Sequence, residues 1–365
     1  GNPYLRPEHT VEREAGIDLV AWNNLSVQVT YSRKKSTDQL HAMPVPAAYG
    51  YPTQWRNVGT LEGSTLEGSI EAQILNRENF RWRAGLVADR SRFQITGWDA
   101  PCVRLGNSFL CEGERMGSIY GIKILNSHSE LPALHANSHG AFAVNDDGWL
   151  VPVGAGGSLA DRKWGTTVTI DGKNYAWGMP LDKMRDDGTL WGPLQIGDGN
   201  PDFHVGFTNT LTWRGLTLYA LLDSELGMDL YNDTRSAMYN PALGVRHGDG
   251  DQSGKAEAER KPVSYYSTLY HGFATTSAFI EDGSYLKLRE LALRYDVGGA
   301  GARTLQRFGV QGANLSLIGR NLLTWTDYTG FDPEVGQQYN GDYSRIDTFG
   351  YPNYRTFTAA VELQF

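Results

Sequence analysis

The chain has 365 residues, a formal net charge of -8 and 20% charged residues, a balance that argues against a nucleic-acid surface. Although 40% of residues are hydrophobic, no apolar run reaches the roughly 18 residues of a membrane helix. Aromatics at 12% and 43 glycines suit an all-β chain rich in turns, either soluble or a membrane barrel that hides its hydrophobicity in alternate positions.

Taken in chain order, Gly1 to Pro7 is polar and carries no secretory leader, which is read here as an internal start within a longer protein. Arg13, Ala15, Ile17, Leu19 and Ala21 then alternate with Glu12, Glu14, Gly16 and Asp18. The same period of two recurs through Leu25 to Ser32, Thr65 to Ile74, Phe80 to Leu86, Phe203 to Trp213 and Thr356 to Phe365. Side chains alternate faces along a strand, so each segment has one apolar and one polar face. In Ser284 to Val297 the apolar phase switches between Leu288 and Leu291, which predicts a β-bulge at Arg289 and Glu290.

Several segments run ten residues or more, whereas strands of soluble domains average about five or six and a tilted membrane strand needs about 9–11. Tight turns at Trp22 to Leu25, Leu75 to Asn79 and Trp213 to Leu216 alternate with long polar excursions at Thr37 to Thr65, Gly97 to Asp202, Glu225 to Ala278 and Thr326 to Arg355. Gly298 to Gly309 falls on the short-turn side. Short turns on the periplasmic side and long loops outside are the habit of outer-membrane barrels. The expected fold is therefore an all-β, antiparallel transmembrane barrel, here a partial one of about nine spanning strands. Its large extracellular loops are 98–202 and 225–278, and its C-terminus lies at the periplasmic side of a Gram-negative outer membrane. The alternative is a soluble adhesin or carbohydrate-binding protein built of β-sandwiches.

Gly319 to Val335, GRNLLTWTDYTGFDPEV, closely resembles the C-terminal hallmark of SusC/RagA-like TonB-linked outer-membrane proteins. The matching residues are Asn321, Leu322, Thr324, Trp325, Tyr328, Gly330, Asp332, Pro333 and Glu334. FIEDGSYLKLRELALRY (Phe279 to Tyr295), NPDFHVGFTNTLTWRGLTL (Asn200 to Leu218), LRPEHTVEREAGIDL (Leu5 to Leu19) and RNVGTLEGSTLEGSI (Arg56 to Ile70) resemble further barrel segments of that family. The resemblance implies a TonB-dependent importer of a large nutrient, an oligosaccharide or a peptide, capped by a SusD-like surface lipoprotein. It also implies that the plug, the N-terminal strands and the TonB-contacting segment lie upstream. A metal-chelate or vitamin receptor is the alternative within the same class. The family's acidic loop before Asn-Pro-Asp-Phe corresponds to Met184 to Phe203, where Asp186, Asp187, Asp198 and Asp202 could supply oxygens to calcium. The regular ligand spacing of a calcium loop is absent, so no cofactor is expected.

No catalytic motif is present: there is no Gly-x-Ser-x-Gly, His-Glu-x-x-His or Walker loop. The pairs Asp146–Asp147 and Asp186–Asp187 read as solvated loop carboxylates. His128, His135 and His139 read as surface histidines, because Pro132 interrupts the segment and no further ligand completes a metal set. Trp149, Trp164, Tyr175, Trp177 and Trp191 cluster in one excursion and are the expected ligand or partner surface. Tyr31, Trp82, Trp213 and Phe365 read as interfacial girdle residues, with Phe365 also the membrane-insertion signal. Cys102 and Cys111 are expected to pair within an oxidising extracellular loop.

Overall fold

The computed structural model describes residues 2–240, 252–307, 309–334 and 345–365. Val335 and part of the 225–278 loop therefore lie outside the described residues.

Nine strands form one antiparallel sheet in chain order: β1 (His9–Ala21), β2 (Leu25–Pro44), β3 (Thr53–Arg77), β4 (Phe80–Trp98), β5 (Phe203–Trp213), β6 (Leu216–Leu226), β7 (Tyr285–Asp296), β8 (Gly312–Thr326) and β9 (Thr356–Gln364). Each pairs with its chain neighbours, and among the described residues β1 and β9 each keep one unpaired edge, so the sheet is open. No described helix is long and apolar enough to cross a membrane.

The pairing registers carry one phase across the sheet. Ile17 opposes Val29, Val27 opposes Ile70, Ile70 opposes Leu86, Leu86 opposes Phe207, and Phe207 opposes Leu222. The run continues through Leu293–Leu317 to Leu317–Ala359. Ile17 is 63% exposed, Leu317 60% and Phe357 77%. An uncovered apolar face of this extent has no place in a soluble sandwich, where a second sheet would bury it. In a barrel wall it faces lipid, while the ladder satisfies the backbone. The opposite face carries Gln28, Ser69, Glu71, Arg83, Thr210 and Asp223, residues that in a barrel line the interior.

The predicted bulge is present: β7 slips against both neighbours between Leu288 and Glu290, with Arg289 the extra residue against β6 and set against the unpaired Asn321 and Leu322 of β8. The tight turns also stand as expected. At Arg214–Gly215 both residues have positive φ, 46° and 87°, the conformation that matches strand twist in a two-residue hairpin. Two expectations are corrected. Thr37 to Thr65 is not an excursion, since β2 and β3 continue pairing up to Pro44–Thr53; beyond the apolar rows this hairpin packs Met43 and Val58 against Ile95, Trp98 and Leu110. Tyr31 accordingly sits within β2 and not near its end. The short-turn-side segment after β7 contains a helix, α3 (Gly299–Gln306).

The long excursions are not merely polar. Ile119 and Ile124 pack with Tyr231, Tyr239, Tyr265, Leu269, Phe279 and Ile346 in one buried cluster, so three loops share a core. A second cluster gathers Leu125, Phe142, Leu150, Ile170 and Leu181. Two short helices, α1 (Asp233–Met238) and α2 (Val263–Tyr270), contribute to this layer. Asn232 caps α1, its side chain accepting the Arg235 N–H at 2.8 Å.

Candidate functional site: a charged clamp on the polar face

The polar face carries an ion-pair network that ties a loop to the wall. Lys287 lies on the polar phase of β7 and is only 2% exposed. Its Nζ donates to Asp332 Oδ1 and Glu334 Oε2, both at 2.5 Å. The bulge aims Arg289 into the same site. Its Nη1 donates to Glu334 Oε2 at 2.7 Å, and its Nε and Nη2 to Asp223 Oδ2 at 2.8 and 2.5 Å. Through its two ring nitrogens His204 then joins Asp223 at 2.8 Å and Asp89 at 3.0 Å. Asn353 closes the other end, donating from Nδ2 to Glu334 at 2.6 Å and from its backbone N–H to Asp332 at 3.1 Å. The network thus runs from β4 to the segment entering β9.

A lysine this deeply buried is tolerable only when paired, and two carboxylates supply that pairing. Burial pushes the Glu334 carboxyl up, but the hydrogen bonds from Arg289 and Lys287 outweigh it and hold the pKa at about 2. The hallmark residues build this geometry. Asp332 Oδ1 also accepts the Glu334 N–H at 3.0 Å, a turn around Pro333, which has no N–H of its own. Tyr328 is buried and donates to Asp347 Oδ2 at 2.6 Å. At Gly330 a Cβ would fall 2.3 Å from the Tyr328 ring, so only glycine fits. Asn321 takes a left-handed φ of 51°, which asparagine tolerates best among residues with a Cβ, and its Nδ2 donates to the Tyr354 carbonyl. Trp325 is half exposed on the apolar face, opposite Leu286.

The five loop aromatics do not form one surface. Trp177 is fully buried in a cluster with Val151 and Val153, and Trp164 packs edge-on against it at 5.0 Å. Trp149 packs on the shared loop core. The Tyr175 hydroxyl meets His135 Nε2 at 2.8 Å. Only Trp191 presents a large exposed surface, at 45%, and Arg185 lies over its ring. Three interlocking loops need a core, and these rings supply it.

His135 is likewise buried rather than on the surface, its Nδ1 meeting Asp171 at 2.8 Å. The acidic residues of Met184 to Phe203 take separate partners: Asp186 the Ala133 N–H, Asp187 the Thr189 hydroxyl, Asp198 Arg115 and Asp202 Arg92. Asp146 and Asp147 are not simply solvated, since both pair with Lys261, at 2.5 and 2.6 Å. Cys102 and Cys111 are joined, with Cα atoms 4.7 Å apart, closing the small hairpin of Val103–Leu105 and Ser108–Leu110. Phe365 is 79% exposed and follows β9. Lys287, Arg289, Asp223, His204 and Asp89 were missed from sequence. Their only signal was a charge on the polar phase of a strand.

A two-faced antiparallel wall, apolar and uncovered on one side and charged on the other, is the pattern of an outer-membrane β-barrel wall. No family model matches the chain. TonB-dependent receptor P3 of Formosa agariphila is 25% identical over 385 residues, covering 100% of this chain and 35% of that protein. TonB-dependent receptor SusC of Bacteroides thetaiotaomicron is 22% identical over 370 residues, covering 100% of this chain and 32% of that protein. Among solved structures, the RagAB peptide importer in its closed-closed state matches with a TM-score of 0.70 at 22% identity, over 100% of this chain and 36% of that one. This chain's relatives along its whole length are therefore TonB-dependent receptors, SusC among them, and the resemblance carried by the Gly319 to Val335 hallmark holds. The chain spans about a third of the length of the curated relatives it matches.

Proposed function

We propose that this chain forms wall and loops of an importer that takes a large nutrient, an oligosaccharide or a peptide, across the outer membrane in a TonB-dependent step. The observation that carries this reading is the similarity to TonB-dependent receptors along the whole chain, with the hallmark's Asp332 and Glu334 clamped on the polar face. The long loops face outside and the C-terminus the periplasm, because short turns mark the periplasmic side of such barrels. The layer built by the three loops is the seat for a SusD-like lipoprotein, the partner that the family resemblance implies. The work is binding and gated passage, with no covalent step. Phe365 acts as the insertion signal, and deleting it should lower the amount of protein in the outer membrane.

The test is uptake of labelled oligosaccharide and peptide by cells carrying the full-length protein, with and without TonB. Uptake that collapses without TonB supports the proposal. Equal uptake in both means a passive pore.

A further inference from the structure

The apolar face ends in a basic rim. Going from the Trp22–Asn24 turn up β2, the outward residues are Leu25, Val27, Val29 and Tyr31, and the next outward residue is Arg33. Arg33 is eight positions beyond Leu25, about 27 Å along the strand and about 20 Å along the membrane normal at a tilt of about 40°. An outer-membrane barrel's apolar band is about 25 Å tall, so Arg33 stands at its far rim.

The registers extend this rim sideways. Arg33 lies directly opposite Arg13 on β1 and opposite Ser64 on β3, which in turn opposes Arg92 on β4. One step nearer the membrane, Leu66 opposes both Tyr31 and Arg90. A groove of about 450 Å³ opens here, lined by Tyr31, Arg33, Glu62, Ser64, Arg92 and Arg115.

The charges do not balance. Glu62 is shared by Arg33 and Lys35, while Arg92 and Arg115 pair with Asp202 and Asp198. Arg13 and Arg90 have no carboxylate partner among the described residues, and the buried Nε of Arg90 has no hydrogen-bond acceptor. Its guanidinium lies over the Phe203 ring. Like charges directly opposite each other on neighbouring strands are destabilising, so the Arg13–Arg33 pair gains from an anion placed between its members.

We propose that this rim binds a net-anionic, phosphate-bearing lipid headgroup of the surrounding leaflet. The phosphate lies across Arg13, Arg33 and Arg92, and the acyl chains run down the apolar rows of Ile17, Val29 and Ile70. Arginine forks suit phosphate oxygens, and a tyrosine at headgroup level is the usual interfacial neighbour. The continuity of the rim with the lipid-facing rows selects a membrane lipid over a free anion. This inference rests on the barrel reading and not on transport.

The test uses the full-length protein purified in detergent, stripped of lipid and titrated with lipid A, phosphatidylglycerol, phosphatidylcholine or inorganic phosphate, binding being read by native mass spectrometry. The R13Q/R33Q/R92Q variant is compared with R81Q/R83Q, which removes two arginines from the opposite face of β4. Heat-modifiable gel migration verifies folding. Lipid A or phosphatidylglycerol should bind, phosphatidylcholine should not compete, and the outward variant should bind about tenfold more weakly or worse with the inward variant unchanged. Should the triple variant not fold, R13Q and R33Q singly should each weaken binding. Equal binding by wild type and outward variants, or equal loss in the inward variant, overturns the proposal. Displacement of the lipid by inorganic phosphate overturns it too, as a free-anion site.

Discussion

Lys287 illustrates how much one side chain can hold. It is the buried cation between Asp332 and Glu334, and Lys287→Met leaves Asp332 without a cation and Glu334 with Arg289 alone. Removing one partner of a buried pair costs about 3–5 kcal/mol, so limited proteolysis should cut between residues 327 and 355 in the variant and not in the wild type. Glu334 sets the pH range of this clamp. Its folded pKa is about 2, below the ordinary 4.5, so its contribution is fully present above about pH 4.5 and fades as pH falls towards 2. The same proteolysis should therefore be silent at pH 5 and appear only in stronger acid. The clamp was half legible in the sequence: Asp332 and Glu334 stood out in the hallmark, but the cations were hidden because nothing local says where a bulge aims Arg289. Loop aromatics were misread for a related reason. Trp177 and Trp191 look alike in sequence, yet only Trp191 is exposed. Trp177→Ala should destabilise the loop layer by about 3–5 kcal/mol, seen as an earlier thermal transition, whereas Trp191→Ala should leave stability unchanged and weaken binding of cargo or cap. Equal thermal effects would contradict this division.

At the scale of elements, the strands were the readable part. Period-two alternation located β1 to β5, β7 and β9, and the phase switch in β7 located its bulge, whereas β6 and β8 were reached only through the tight turn, the family-like segments and the strand count. The upper parts of β2 and β3 were lost because their apolar residues are irregularly spaced across register shifts at Ser36 to Leu40, and Met43 and Val58 pack in a local cluster with Ile95, Trp98 and Leu110 instead of continuing the apolar rows. The loop layer was lost for another reason: its core is assembled from segments as far apart as Ile119 and Ile346, and no single segment is periodic. The Cys102–Cys111 hairpin is a small closed unit at the start of this layer. Closing so short a loop should stabilise it by about 2–3 kcal/mol at most, enough to keep the hairpin formed but too little to decide the fate of the barrel. Intact mass after alkylation without reductant should show neither thiol modified; two alkylated thiols would contradict the pairing.

For the whole molecule, the two faces decide everything that follows. The apolar rows can persist uncovered only against lipid, and the clamp on the polar face can matter for passage only if that face lines an interior. The most direct test is cysteine scanning of the full-length protein in intact outer membranes with a small water-soluble thiol reagent. Substitutions along β2 and β3 at Gln28, Thr30, Ser69 and Glu71 should label, and those at Val27, Val29, Ile70 and Ala72 should not. Cys102 and Cys111, joined to each other, should add no background. Labelling that alternates with period two in this phase is the predicted result; labelling of both sets alike, or of the apolar set alone, would contradict the barrel wall on which the account stands.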